Sequence, residues 1–406
     1  MSINSLRHKS LSLSANKLIT RYFTTNLPND VKIIQDLVRK FTNEELRPEI
    51  VAKNDRESRF PAEQIEKLGD MGFMGVSAAA EFGGSNMNIL SLSVIVEELS
   101  RGCASVGAIV SIHNCLYANL LSRIGSQEQK EKWLREYTTG KKIGAFALSE
   151  MEAGSDVSAI STTARKDGDY YVLNGSKAWV TSGTEAGASI VFATVDKGQK
   201  HKGIAAFLVS MNQEGVERGR NERKIGIKAT STISMTLTDV RVHSDDVLCL
   251  PGKGFKVAME QLDVARVGIA SQALGIAQAS LDTAVQYASQ RIAFDNPILK
   301  MSSVKRRLAE MALDIESSRL LVRQAAQKKD QNLRSTKHTS MAKWKASTTA
   351  TFCAHNCIQI MGGMGVIEDL PAERYYRDAR ITEIYGGVTD VQMMIVAEQL
   401  AKEYGL

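Results

Sequence analysis

At 406 residues with 43% hydrophobic side chains, the chain can bury a large core and should divide into two or three domains. Its formal charge of +6 invites a nucleic-acid reading, but Arg7, Lys9, Lys17 and Arg21 stand in the first 29 residues without an acid. Without those four the balance is +2 and no basic run with interleaved aromatics remains, so no nucleic-acid partner is expected.

Residues 1–26 carry Ser2, Ser5, Ser10, Ser12 and Ser14 among those basic residues, with Leu6, Leu11, Leu13, Leu18 and Ile19 between them. This is the composition of a mitochondrial transit peptide, and the matrix is the expected compartment; the alternative is a tail of accidental bias. Residues 27–143 read as a helical domain: Val31, Ile34, Leu37 and Val38 recur at helical spacing, as do Ile65, Leu68 and Met71. Phe60-Pro61 restarts the chain, and Glu81-Phe82-Gly83-Gly84 makes a tight loop before an apolar helix from Leu90 through Leu99. No apolar run is read as reaching the ~20 residues of a membrane-spanning helix, so no membrane insertion is expected.

At Gly144 the period changes from helical to alternating. Tyr170 to Leu173, Ile190 to Val195, Ile204 to Val209 and Ile233 to Val242 are strand-like runs separated by Asp167-Gly168, Asn174-Gly175 and Lys202-Gly203. Residues 144–250 therefore read as an antiparallel β domain. From Pro251 the helical period returns over 251–406. Ala258, Leu262, Ala265, Ile269, Ala273 and Ile276 form one stripe of a helix apolar nearly all round, which should be central and buried. A second helix carries Val304, Leu308, Met311, Ile315 and Val322, and a polar gap from Lys328 to His338 leads to a third, giving an α+β chain with a C-terminal helical bundle. Five scattered cysteines suit a reducing compartment. Cys353-Ala-His355-Asn-Cys357 lacks a second ligand pair, so buried small side chains are favoured over zinc and no metal is expected.

Four stretches resemble the acyl-CoA dehydrogenases, most closely the short-chain members: Ala147-Leu-Ser-Glu-Met-Glu-Ala-Gly-Ser-Asp156, Lys177-Ala-Trp-Val-Thr-Ser-Gly183, Gln359-Ile-Met-Gly-Gly-Met-Gly365 with Asp369, Arg374 and Asp378, and RDARITEIYGGVTDVQ from Arg377 to Gln392. The resemblance implies FAD as cofactor, an acyl-CoA substrate, electron-transfer flavoprotein as acceptor and a homotetramer. It places FAD against Phe146, Leu148, Ser149, Trp179, Thr181, Gln359, Gly362, Gly363, Val388, Thr389 and Asp390. It also implies that Arg291 and Phe294, with Ser302, reach the FAD of a neighbouring subunit; a forked guanidinium suits a diphosphate. Ser155, Asp263, Arg266 and Gly387 fall at substrate positions.

The active-site strand of that family, as 377–392 reads here, carries a Glu after Ile-Tyr that removes the substrate's α-proton. Gly386 stands there, and the alternative position on the central helix is Ala265. Val388 replaces a Thr beside the cofactor phosphate, and Asp295 and Ser302 replace a Gly and a Gln. Glu260 is the best substitute candidate among the acids on the central helix, but it precedes Ala265 by five residues, about 7.5 Å of helix, so a pocket-floor carboxylate is the favoured reading. Two hypotheses stand: a working dehydrogenase with a substitute base, or a flavoprotein that binds acyl-CoA or serves in assembly without turnover.

Overall fold

The computed structural model describes residues 27–406, so the transit-peptide reading lies outside the described residues. Helices α1 (Asn29–Glu45), α2 (Pro48–Glu57) and α3 (Ala62–Asp70) lead to α4 (Ile89–Gly102), which is capped where the Asn88 side chain accepts from Ser91 N at 2.8 Å. A further helical rod, α5 (Ala104–Ile124), and a short helix, α6 (Gln127–Trp133), follow. The premise that no apolar run is long enough to span a bilayer is corrected by α5, which is long and apolar enough, although 94% of its apolar window is buried inside the protein. Its middle turn, His113–Ala118, is π-helical. There His113 accepts from Gly144 N at 3.1 Å and lies 3.1 Å from Tyr137 O. Burial drives its pKa down to about 4, so a neutral imidazole pins the first strand to the helical domain.

The β domain is one eight-stranded sheet: β1 (Ile143–Ala147), β2 (Thr163–Asp167), β3 (Tyr170–Thr181), β4 (Ala186–Thr194), β5 (Ile204–Ser210), β6 (Val216–Arg218), β7 (Thr232–His243) and β8 (Val247–Cys249), in the order β6-β7-β3-β2-β4-β5-β8. It is mostly antiparallel, but β1 runs parallel to β4. Asn174-Gly175 does not separate strands as expected. It lies inside β3 as a bulge opposite β7, with Gly175 at φ +147°, where a Cβ would stand 2.7 Å from the Thr162 backbone.

Helix α7 (Gly254–Gln290) runs 37 residues, about 55 Å, through the molecule. The expected stripe is buried along it apart from half-buried Leu262, and α4, α8 (Ser302–Asp330), α9 (Thr336–Met361) and α10 (Ala372–Ile384) pack around it. The two helical domains share one hydrophobic core, whereas the sheet has its own and meets α5 in a third. The polar gap is shorter than expected, since α8 continues to Asp330 and α9 begins at Thr336. Asp330 earns its place in the helix by accepting from Ile89 N and Leu90 N at 2.6 and 3.1 Å, which a loop reading of a charged tail could not foresee. Cys353 and Cys357 are buried on one face of α9 and His355 is exposed on the other.

Candidate active site

The stretch read as an active-site strand is a helix, a four-residue loop and a second helix: α10 ends at Ile384, residues 385–388 turn, and α11 (Thr389–Glu403) begins. Two consecutive glycines make the turn, Gly386 at φ +67° and Gly387 at φ +96°. A Cβ on Gly386 would fall 2.2 Å from Ile269 Cδ1 of α7, so the central helix fills the space beside the loop. Three side chains hold the turn. Lys343 Nζ donates to Gly387 O at 2.7 Å and Glu383 O at 3.2 Å, and Gln392 Nε2 donates to Gly387 O at 2.8 Å. Tyr385 donates its hydroxyl to Gln272 Oε1, and burial pushes its pKa far above the ordinary phenol range.

On α7, Asp263 and Arg266 form a buried ion pair. Thr336 and Thr339 also donate to Asp263 at 2.7 and 3.2 Å, so its carboxylate is fully engaged. Arg266 keeps its Nε without a partner although the side chain is buried, and burial lowers its pKa against the opposing pull of Asp263. Glu260 is half-exposed and ion-paired with Arg123 at 2.8 Å, which commits it to the protein surface.

The second group of expected residues sits where β1 leaves the sheet. Ala178 N donates to Ser149 O at 2.9 Å, which joins Leu148 and Ser149 to β3. Beneath them lies a buried pair that the sequence reading missed. Lys177 donates to Glu150 at 2.8 Å and to Leu148 O at 3.1 Å, and Glu150 also accepts from the Ser161 and Thr162 amides. Burial alone would raise the Glu150 pKa, but Lys177 and these donors bring it down to about 2. On this base stands Trp179, next to a register shift of β3, with φ +60° and 58% of its surface exposed. A tryptophan in left-handed backbone is strained by roughly 1–3 kcal/mol, and here the strain accompanies a largely exposed indole two residues from Thr181. Together with the small Ser149, that surface fits a flat heteroaromatic ring, as the implied flavin requires. Ser155 is exposed on the following loop, and Phe146 is half-buried against Phe192.

Other expected residues lie elsewhere. Arg291 and Phe294 form a hairpin beyond the far end of α7, 28 residues and about 42 Å along the axis from Asp263. Phe294 is 90% exposed at φ +50°, and Asp295 at φ +61° keeps a left-handed turn that explains why glycine suits this position. Ser302 is exposed at the start of α8. Gln359 is sixteen residues, about 24 Å of helix, beyond Lys343, and a Cβ on Gly362 or Gly363 would meet nothing within 4 Å. One chain thus brings the Gly386 loop to Asp263 and Arg266, but not to Arg291 or Gln359.

Val388 occupies the N-cap of α11 with no side-chain cap, and Thr389 and Asp390 open the helix. Val388→Thr should supply the missing acceptor and stabilise the protein by about 1 kcal/mol. A chemical-denaturation midpoint that does not rise would contradict this.

Sequence profiles of the acyl-CoA dehydrogenase N-terminal, middle and C-terminal domains match residues 28–141, 145–240 and 252–401. The mitochondrial short-chain specific acyl-CoA dehydrogenase of Rattus norvegicus is 47% identical over 388 residues, which cover 96% of this chain and 94% of that one. Butyryl-CoA dehydrogenase from Megasphaera elsdenii superposes with a TM-score of 0.91 at 38% identity, covering 93% of this chain and 100% of that one. A glutaryl-CoA dehydrogenase from Mycobacterium smegmatis in complex with FADH2 gives 0.87 at 28% identity over 93% and 95% of the two chains.

Proposed function

The chain belongs to the acyl-CoA dehydrogenase family, and from that premise we propose that it carries out FAD-dependent α,β-dehydrogenation of a short-chain acyl-CoA to the trans-2-enoyl-CoA. The observation that carries this reading is Trp179, held exposed in strained backbone over the buried Lys177–Glu150 pair. Such strain persists where surrounding structure imposes it, and a ring-binding face is what it produces here.

Bound FAD supplies the acceptor for the substrate's β-hydrogen, and electron-transfer flavoprotein takes the electrons onward. The chain's own residues position and shield. Trp179 and Thr181 offer the ring a face and a hydroxyl, and Phe146, Leu148 and Ser149 border it. Asp263 and Arg266 orient the thioester, with the free Arg266 Nε as a donor directed to substrate or cofactor. Gly387 of the turn falls at a substrate position by the family resemblance. The distance from Asp263 to Arg291 supports a site completed by a second subunit, in which Arg291 and Phe294 reach the neighbour's FAD and Gln359, Gly362 and Gly363 border it, within a homotetramer. Light scattering should give four chains per particle; a monomer that still holds FAD would overturn the shared site.

Residues 1–26 support import into the mitochondrial matrix. Fused to a reporter, they should carry it to mitochondria, and cytosolic retention would refute the assignment.

Anaerobic butyryl-CoA should bleach the flavin. A shifted but unbleached spectrum would instead mark a protein that binds acyl-CoA without turning it over. In the same assay Gly386→Glu should accelerate bleaching at least tenfold where no other side chain takes the α-proton, because a positioned base is worth roughly 10²- to 10⁴-fold. Part of that gain is offset as Ile269 rotates away and a side chain enters left-handed backbone.

A further inference from the structure

Both family positions for the proton acceptor lack an acid, so a proton acceptor must come from another group around the turn. Tyr385 is held as a neutral donor by Gln272. Asp263 is saturated by Arg266, Thr336 and Thr339. Glu260 is paired at the surface with Arg123. Glu383 is bound by Thr351 at 2.5 Å and Arg380 at 2.9 Å. Lys343 remains.

Its side chain is completely buried on the core face of α9, against the turn that holds one of the two family base positions. Nζ touches Gly387 O, one residue from Gly386, and it feels the charge of Arg266, one residue from Ala265. Among the described residues it forms no ion pair, and its two hydrogen bonds both go to backbone carbonyls. Two bonds are all that a neutral amine can donate, which leaves its lone pair unengaged. An ammonium would keep a third N–H unsatisfied in a dry site.

We propose, on the dehydrogenase reading above, that Lys343 in its neutral form accepts the substrate's α-proton in place of the missing glutamate. The Cα–H bond breaks and its electron pair forms the α,β double bond. The β-hydrogen departs with its own pair to the flavin, and the proton ends on Nζ. Burial, which outweighs the pull of Glu383 and is reinforced by Arg266, brings the Lys343 pKa down to about 7, where a general base works best near neutral pH.

Three variants test this: Lys343→Arg, which keeps both donors but stays charged, Lys343→Met, and Lys343→Arg combined with Gly386→Glu. Flavin reduction by butyryl-CoA in the wild type should rise about tenfold per pH unit below pH 7 and level off above it. Lys343→Arg should hold FAD and a thioether analogue of butyryl-CoA as the wild type does, yet lose roughly 10²- to 10⁴-fold in reduction rate. Adding Gly386→Glu should restore it. A second readout needs no turnover. Lys343 binds a proton in the unfolded chain up to about pH 10 but releases it near 7 when folded, so the unfolded state holds more protons between these values. The melting temperature of the wild type, relative to Lys343→Met, should therefore climb from pH 7 to 9. Wild-type rates in Lys343→Arg, failure of Gly386→Glu to restore an FAD-loaded double variant, or a flat melting difference would each overturn the proposal. If the wild type itself reduces no flavin between pH 6 and 9, the dehydrogenase reading fails first and this inference with it.

Discussion

One guanidinium ties the three domains together. Arg377 on α10 reaches Asp55 of α2 at 2.7 Å, Glu373 of its own helix at 2.7 Å and the Ile225 carbonyl of the β domain at 3.1 Å. Burial opposes its charge, but the bonds to Glu373 and Asp55 outweigh that and hold it protonated. Its neighbour Asp378 accepts from Ile227 N at 2.5 Å, with burial raising the carboxyl to about 6. Gly226 lies so close that a Cβ would stand 2.3 Å from Arg377 O. Breaking such a buried pair by removing one partner costs about 3–5 kcal/mol. More to the point, the contact fixes α10 against the sheet, and α10 carries the glycine turn. The position of the turn relative to Trp179 is inherited from this one clasp.

Much of this was legible in the chain. The α7 stripe could be read because a helix apolar nearly all round has only one place to go. The change of period at Gly144 falls one residue inside β1, because strand alternation starts where His113 pins it. The misreadings share a cause: local signals were overruled by distant partners. Asn174-Gly175 looks like a turn until β7 pairs across it on both sides. The 377–392 stretch reads as a strand only through the family resemblance, while the period of its residues is helical. Instead, Arg377, Asp378 and Lys343 hold it as two helices and a turn.

The site was legible in its motifs and illegible in its supports. Trp179, Thr181 and Ser149 stand in recognisable order, but the Glu150–Lys177 pair beneath them needed coordinates. A lone lysine between alanines, Ala342 and Ala346, on the core face of α9 was the available signal for Lys343, since that face otherwise carries Thr339, Ala350 and Cys353. A buried cation without a matching acid marks a site where protonation is in question. The separation of Arg291 from Asp263 was implicit in the length of α7, because 28 helical residues cannot fold back on themselves.

The glycine at 386 changes more than the count of carboxylates. A glutamate on this turn would place a negative charge within several ångströms of Lys343 Nζ, since Nζ already touches the carbonyl of the next residue. An opposite charge at ~4–6 Å shifts a pKa by roughly 1–3 units toward the charged form. The acid would thus hold Lys343 as ammonium, bonded to the turn and unable to accept a proton. Removing it takes away that stabilisation, and burial, helped by Arg266, then outweighs the remaining pull of Glu383 and favours the neutral amine. Loss of the carboxylate and release of the amine are therefore one electrostatic event. Ile269 stands in the space that the lost side chain would need, so the turn and the central helix have closed up where the carboxylate would leave the backbone.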